Sequence, residues 1–235
     1  MAATKSSTGS RVKRTGGIDT EAARERILAG AESVFGTYGF DGASLRQIAA
    51  AAKVPMALIG YHFGSKAGLY RAVFDRRAPA IVEQRLIGLN LAMSEPNLDR
   101  RLELIVRAFV FPYLHLRARE GNPNFARMLA REAMLPDSEG RVILQEILDP
   151  IAQAVVDALH SALPHRSKQS IWWGYNFMIG TLIYVMAENG RLERLSGGAC
   201  RPSDEDAASR HMIAFVTAGL RHRQPDDNDD NTGQC

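Results

Sequence analysis

Apolar residues recur at three- and four-residue intervals along most of this 235-residue chain, and no segment alternates apolar with polar as a half-buried strand would. Ala23, Ile27, Ala31, Val34 and Phe35 form the stripe of a first helix. Asp19 or Thr20 is placed to cap it, and Gly39 ends it, since glycine accepts the left-handed backbone that follows a helix. Ser44 caps a short second helix to about Ala52, with Leu45, Ile48 and Ala49 turned inward. Lys53 and Val54 make a tight turn. Pro55 is expected at the first position of a third helix, its fixed φ being suited to that place, and Gly64 breaks this helix just after Phe63. Ser65 caps a fourth helix over Lys66–Arg77, with Leu69, Tyr70, Val73 and Phe74 inward.

The same period continues downstream and predicts helices over about 80–92, 98–119, 124–135, 138–163, 168–190 and 204–222. Pro112 and Pro150 fall inside two of them, and Pro96, Pro136, Pro164 and Pro202 mark boundaries. The fold class is therefore all-α. Two short helices joined by a minimal turn make a helix-turn-helix. The predicted organisation is a basic arm over 1–19, a helix-turn-helix domain over 20–77, a larger helical domain over 78–223 and an acidic tail over 224–235.

Charge sharpens this division. Residues 1–80 carry 12 Lys and Arg against 6 Asp and Glu, whereas residues 81–235 carry 17 against 20. A basic first third points to a polyanionic partner for that third alone. Arg11, Lys13 and Arg14 in the arm could reach a DNA groove, and a merely solubilising arm fits the same residues at least as well. The longest apolar stretch, Ile171–Ala187, is interrupted by Gly174, Asn176, Gly180 and Thr181, which argues against a membrane span. The N-terminus has no apolar segment of the kind a secretory signal needs, and two cysteines, Cys200 and Cys235, make no disulfide framework. A cytoplasmic protein is expected. His160, His165, His211 and His222 lack metal-ligand spacing, and no carboxylate pair has a catalytic setting. Neither a metal, a cofactor nor an enzymatic activity is expected.

The helix-turn-helix carries the candidate chemistry. Ser44, at a helix N-terminus, can offer its hydroxyl to a phosphate with the helix dipole behind it. Arg46 and Gln47 lie in the first turn, within reach of phosphate or a base edge, and Lys53 adds a cation in the turn. On the third helix Met56, Ala57 and Gly60 stand nearest the bases, where apolar or absent side chains suit thymine methyls or close backbone approach. Tyr61 and His62 suit backbone phosphates, and Lys66 opens the next helix as a further cation.

The stretch ERILAGAESVFGTYGFDGASLRQIAAAAKVPMALIGYHFGSKAGLYRAVF, residues 25–74, resembles the DNA-binding domain of TetR-family transcriptional regulators. The shared elements are AxxxFxxxGFxxxS, the IA of IAAAA, and YHFGSKAGLY. The resemblance implies a three-helix DNA-binding domain followed by a larger helical domain that binds a small molecule and forms a homodimer. It implies phosphate contacts for Ser44, Tyr61, His62 and Lys66, and groove-facing positions for Met56, Ala57 and Gly60. Four positions depart from the family pattern: Lys53 stands for a usual glycine, Pro55 for serine, Gly60 for an aromatic residue and Gly68 for an acidic one. Residues 122–150 are similar to the C-terminal domain of one TetR subgroup.

The second domain is rich in aromatic and methionine residues. Phe109, Tyr113, Met128, Trp172, Tyr175, Asn176 and Met178 are candidates for the lining of an effector pocket, with His115 a further polar candidate. Taken singly, each fits ordinary core better than pocket lining, and only a pocket somewhere among them is expected. The segments 168–190 and 204–222, with small residues amid bulky ones, are candidates for a four-helix dimer seam. The expected function is a repressor released from a palindromic operator by a small molecule. A helical enzyme or carrier with a basic module, and a sequence-independent DNA binder, are the alternatives.

Overall fold

Helices make up all the regular structure in residues 15–120, 123–135 and 139–222, the residues described by the computed structural model; side chains are described over 20–114, 123–135 and 142–222. In order they are α1 (Thr15–Gly42), α2 (Leu45–Ala52), α3 (Met56–Phe63), α4 (Lys66–Met93), α5 (Leu98–Glu120), α6 (Asn124–Met134), α7 (Glu139–Ala162), α8 (Lys168–Ala187), α9 (Arg191–Leu195) and α10 (Glu205–Arg221). The cations expected in the arm, the acidic tail and the His115 side chain lie outside the described residues.

Several boundaries differ from the sequence expectation. α1 already runs from Thr15, so Asp19 and Thr20 sit within it rather than capping it, and 15–19 belong to the helix rather than the arm. Gly39, at φ 74°, breaks the helical run as expected. Pro55 is extended (φ −60°, ψ 138°) and precedes the first residue of α3 rather than being that residue. α8 ends at Ala187, with Glu188 in the left-handed region, and a short α9 follows that the periodicity had not suggested.

The largest difference is α4, one 28-residue helix through Pro79 where two helices were expected. An interior proline costs about 3 kcal/mol. Against it stand Val73, Phe74 and Ala78 before the proline and Ile81 and Leu89 after it, all buried. Each large apolar side chain contributes roughly 1.5–3 kcal/mol on burial, so the common packing face outweighs the lost bond. Pro79 itself faces solvent. The division expected at residue 77 thus falls inside a helix shared by both halves of the molecule.

The first half is a three-helix unit. α1 packs on α2, and α3 lies between α2 and the start of α4. Ile27, Phe35, Ile48, Ile59, Leu69 and Phe74 are fully buried between them. Arg77 on α4 grips Glu32 on α1 with two hydrogen bonds, Nε to Oε2 at 2.7 Å and Nη2 to Oε1 at 3.1 Å. The core continues into the second half as a run of edge-on rings: Phe35–Tyr70 at 4.7 Å, Tyr70–Phe74 at 5.2 Å and Phe74–Phe125 at 5.3 Å between centroids. α5 lies along α4, α7 against both, and α8 and α10 close the far side.

Candidate functional site

The turn between α2 and α3 is built from backbone constraints. Ser44 Oγ accepts from the Gln47 amide at 3.3 Å, while the Ser44 amide donates to Gln47 Oε1 at 2.8 Å, a reciprocal capping box. The Ser44 hydroxyl proton also goes to Gln47 Oε1, at 2.7 Å. Gln47 is therefore engaged in fixing the start of α2. Lys53 closes α2 in the left-handed conformation, φ 55° and ψ 47°, at the position where the family pattern has glycine. For a residue with a Cβ this costs about 1–2 kcal/mol.

α3 barely enters the core. Ile59 is its one fully buried residue. Pro55, Met56, Ala57, Gly60 and Tyr61 face solvent on one continuous ledge, Met56 at 58% and Tyr61 at 79% exposure. Space around Gly60 is open, with no atom within 4 Å of where a Cβ would lie. Arg46 in the first turn of α2 and Lys53 in the turn before α3 are also exposed. His62 is half-buried, its ring edge-on to Tyr61 at 5.2 Å. Gly64, at φ 71°, then turns the chain, and Ser65 caps α4 by accepting from the Gly68 amide at 3.0 Å. A Cβ on Gly68 would lie 2.3 Å from the Phe63 carbonyl oxygen, which explains glycine where the family pattern has an acid.

Lys66 has a different setting from the other cations. Its Nζ donates to the carbonyls of Phe40 at 2.9 Å and Ala43 at 3.2 Å, and stands 4.4 Å from the centre of the Phe40 ring. The side chain thus ties the start of α4 to the corner between α1 and α2.

The second half holds a cavity of about 370 Å³ between α4, α5, α6, α7 and α8. Of the sequence candidates, Phe109, Tyr113, Tyr175 and Asn176 line it. Met128 and Met178 lie instead in the core, each 1% exposed. Trp172, one turn before Tyr175 on the same side of α8, lies at the surface, 47% exposed, with its ring edge-on to Tyr175 at 6.0 Å. Burial pushes the Tyr175 phenol up to about 12, so it is a neutral hydroxyl at physiological pH. Leu129, Glu132, Leu144, Leu148, Ile179 and Arg85 also line the cavity. Arg85 was not singled out in the sequence, although a signal was there: it occupies the apolar register of α4, four residues from Ile81 and from Leu89.

α6 joins cavity and DNA-binding unit. Leu129, Glu132 and Ala133 face the cavity. Tyr70 of α4 donates its hydroxyl to buried Glu132, and burial with this bond raises the phenol far above its ordinary range. A Cβ on Gly36 of α1 would lie 2.6 Å from Asn124 Cβ, so α1 and α6 touch backbone to backbone. Among the described residues no His, Cys, Asp and Glu cluster could hold a metal ion, and no helix is long and apolar enough to cross a membrane.

Comparison with known proteins agrees with this layout. Residues 27–73 match the family "Bacterial regulatory proteins, tetR family", and residues 107–219 match "Tetracyclin repressor-like, C-terminal domain". The chain is 32% identical over 139 residues to the HTH-type transcriptional dual regulator CecR of Shigella flexneri, covering 57% of this chain and 61% of that protein. It is 36% identical over 107 residues to the HTH-type transcriptional regulatory protein RaaS of Mycobacterium tuberculosis, covering 46% of this chain and 50% of that one. The chain thus spans less than two thirds of either relative. In fold it resembles the transcriptional regulator FadR of Bacillus subtilis, solved in complex with stearoyl-CoA, with a TM-score of 0.59 at 16% identity over 83% of this chain and 98% of that one. Both halves of the molecule, the helix-turn-helix and the helical domain behind it, match the same family, and the chain belongs to the TetR family of bacterial regulatory proteins.

Proposed function

We propose that the protein is a ligand-responsive, sequence-specific transcriptional repressor acting as a homodimer in the cytoplasm. Two copies of α3 enter successive major grooves of a palindromic operator, and a small molecule in the cavity releases them. The observation that carries this reading is the exposed ledge from Pro55 to Tyr61, where α3 buries Ile59 alone, together with two exposed cations, Arg46 and Lys53. On that ledge Met56, Ala57 and Gly60 meet base edges, and Tyr61, Arg46 and Lys53 meet phosphates. Ser44 and Gln47 fix the N-terminus of α2, whose free amides face a phosphate. His62 flanks Tyr61 at the phosphate edge, and Lys66 positions the corner beneath.

Release runs through α6. An effector that prefers one conformation of the cavity shifts the population toward it. Because α6 abuts α1 at Gly36 and α4 at Tyr70, its displacement tilts the DNA-binding unit. Half-sites lie about 34–36 Å apart or at multiples, so a change of a few ångströms between the two α3 helices weakens binding. The family description "Tetracyclin repressor-like" and the stearoyl-CoA bound to the Bacillus subtilis protein support repression and small-molecule binding respectively. The dimer seam is the outer face of α8 and α10, where Trp173, Phe177, Tyr184 and Phe215 are more than half exposed.

Footprinting on the DNA upstream of the protein's own gene, with random duplex as competitor at fixed salt, tests the proposal. A preference of at least about a thousandfold for one palindromic site is expected. Equal affinity for random duplex would leave only sequence-independent binding.

A further inference from the structure

The cavity contains a charge with no counter-ion among the described residues. Arg85 is 2% exposed. Its guanidinium donates one hydrogen bond, from Nη2 to the Phe109 carbonyl at 3.0 Å, and lies over the rings of Phe109 at 4.5 Å and Tyr113 at 4.7 Å. Its Nε is buried without a hydrogen-bond partner. A guanidinium carries five N–H donors in a planar fork that matches a carboxylate or phosphate. A charge held this far from water is strongly disfavoured unless it is paired. Two carboxylates share the cavity wall, and neither pairs with it. Glu132 accepts from Tyr70, and Asp149 is exposed at the rim.

We infer that the effector is an organic anion, a carboxylate or phosphate on an apolar body, whose acidic group pairs with Arg85. This deepens the ligand-responsive reading and rests on it. The two rings fix the guanidinium plane, and the Phe109 carbonyl takes one edge, so the remaining N–H groups are oriented before the ligand arrives. The apolar body lies along Leu144, Leu148, Ile179 and Ile183, and the amides of Gln145 and Asn176 with the Tyr175 hydroxyl meet its polar substituents. The volume of about 370 Å³ suits a small-molecule ligand. A cationic ligand would leave the guanidinium unmatched and add like charge.

The test uses the full-length protein and four probes with one alkyl chain: decanoate, decyl phosphate, decanol and decylammonium. Binding is read from Trp fluorescence and from the melting temperature. Either anion is expected to bind about 10–100-fold more tightly than decanol, the strength of a charge-assisted hydrogen-bonded pair, and decylammonium more weakly still. A preference for decanoate over decyl phosphate, or the reverse, tells which acid the site takes. In Arg85→Met the anion preference should vanish while decanol binding persists, and Arg85→Lys should restore part of it. Without ligand, Arg85→Met should melt no lower than the wild type, because an unpaired buried charge has been removed. Equal binding of decanol and the anions, tighter binding of decylammonium, or failure of both anions to bind overturns the inference. DNA binding is measured on the same samples. Operator affinity with no anion binding sinks the inference alone, and anion binding with no operator affinity sinks the regulatory reading alone.

Discussion

Lys53 and Lys66 bear like charges on the same basic unit, but their surroundings differ: one is exposed in a left-handed turn and the other donates to two backbone carbonyls. Lys53 is held in the left-handed region by the geometry of the turn, a strain that glycine would relieve. Lys53→Gly should therefore raise unfolding stability by about 1 kcal/mol in urea titration. It should also lower the salt dependence of operator binding by about one unit per subunit, as loss of a phosphate contact does. A fall in stability would mean that the strain is compensated locally. Lys66→Ala should behave in reverse. Removing its ammonium leaves the Phe40 and Ala43 carbonyls short of a donor, which costs about 1–3 kcal/mol. The salt slope should stay the same in anisotropy titrations, and a slope lowered by about one would return Lys66 to direct phosphate contact. The two capping serines were legible in the sequence because a cap is decided by residues three apart. For Arg85 only the apolar register of α4 was legible, because its setting depends on Phe109 and Tyr113 from another helix.

Among the elements, α4 and α6 carry the connection between the halves. Periodicity placed α6 at nearly its observed span, but its role came from contact with α1. Gly36→Ala tests that contact. The added methyl meets the Asn124 backbone at 2.8 Å, so α6 must move away. The expected cost is about 1–3 kcal/mol in denaturant midpoint, as for overpacking elsewhere, together with a changed response of operator binding to ligand. An unaltered midpoint would show that the two helices separate freely. The break expected in α4 near Pro79 reflects a rule about isolated helices, in which the proline penalty is decisive. Here burial on both sides of the proline decides instead.

At the scale of the whole molecule, the outer face of α8 and α10 is the unfinished surface. Trp173, Phe177 and Tyr184 repeat at about helical spacing on α8, with Gly180 open beside them, and Phe215 stands on α10 at 70% exposure. In the proposed homodimer a second copy covers that face and completes a four-helix seam. Phe177→Asp should convert the dimer to monomer in sedimentation and reduce operator affinity at least tenfold, since each half-site then binds alone. A variant that remains dimeric would move the seam elsewhere.

Most of the helices, the helix-turn-helix and the family resemblance were legible in the chain, because each rests on local spacing: apolar stripes, caps three residues apart, and a glycine at a forced turn. The unbroken α4 and the short α9 were not. Packing between helices settles which aromatic residues border the cavity, which lysine faces inward and which arginine lacks a counter-ion among the described residues. Those properties belong to pairs of residues tens of positions apart, and local periodicity carries no information about where such pairs meet.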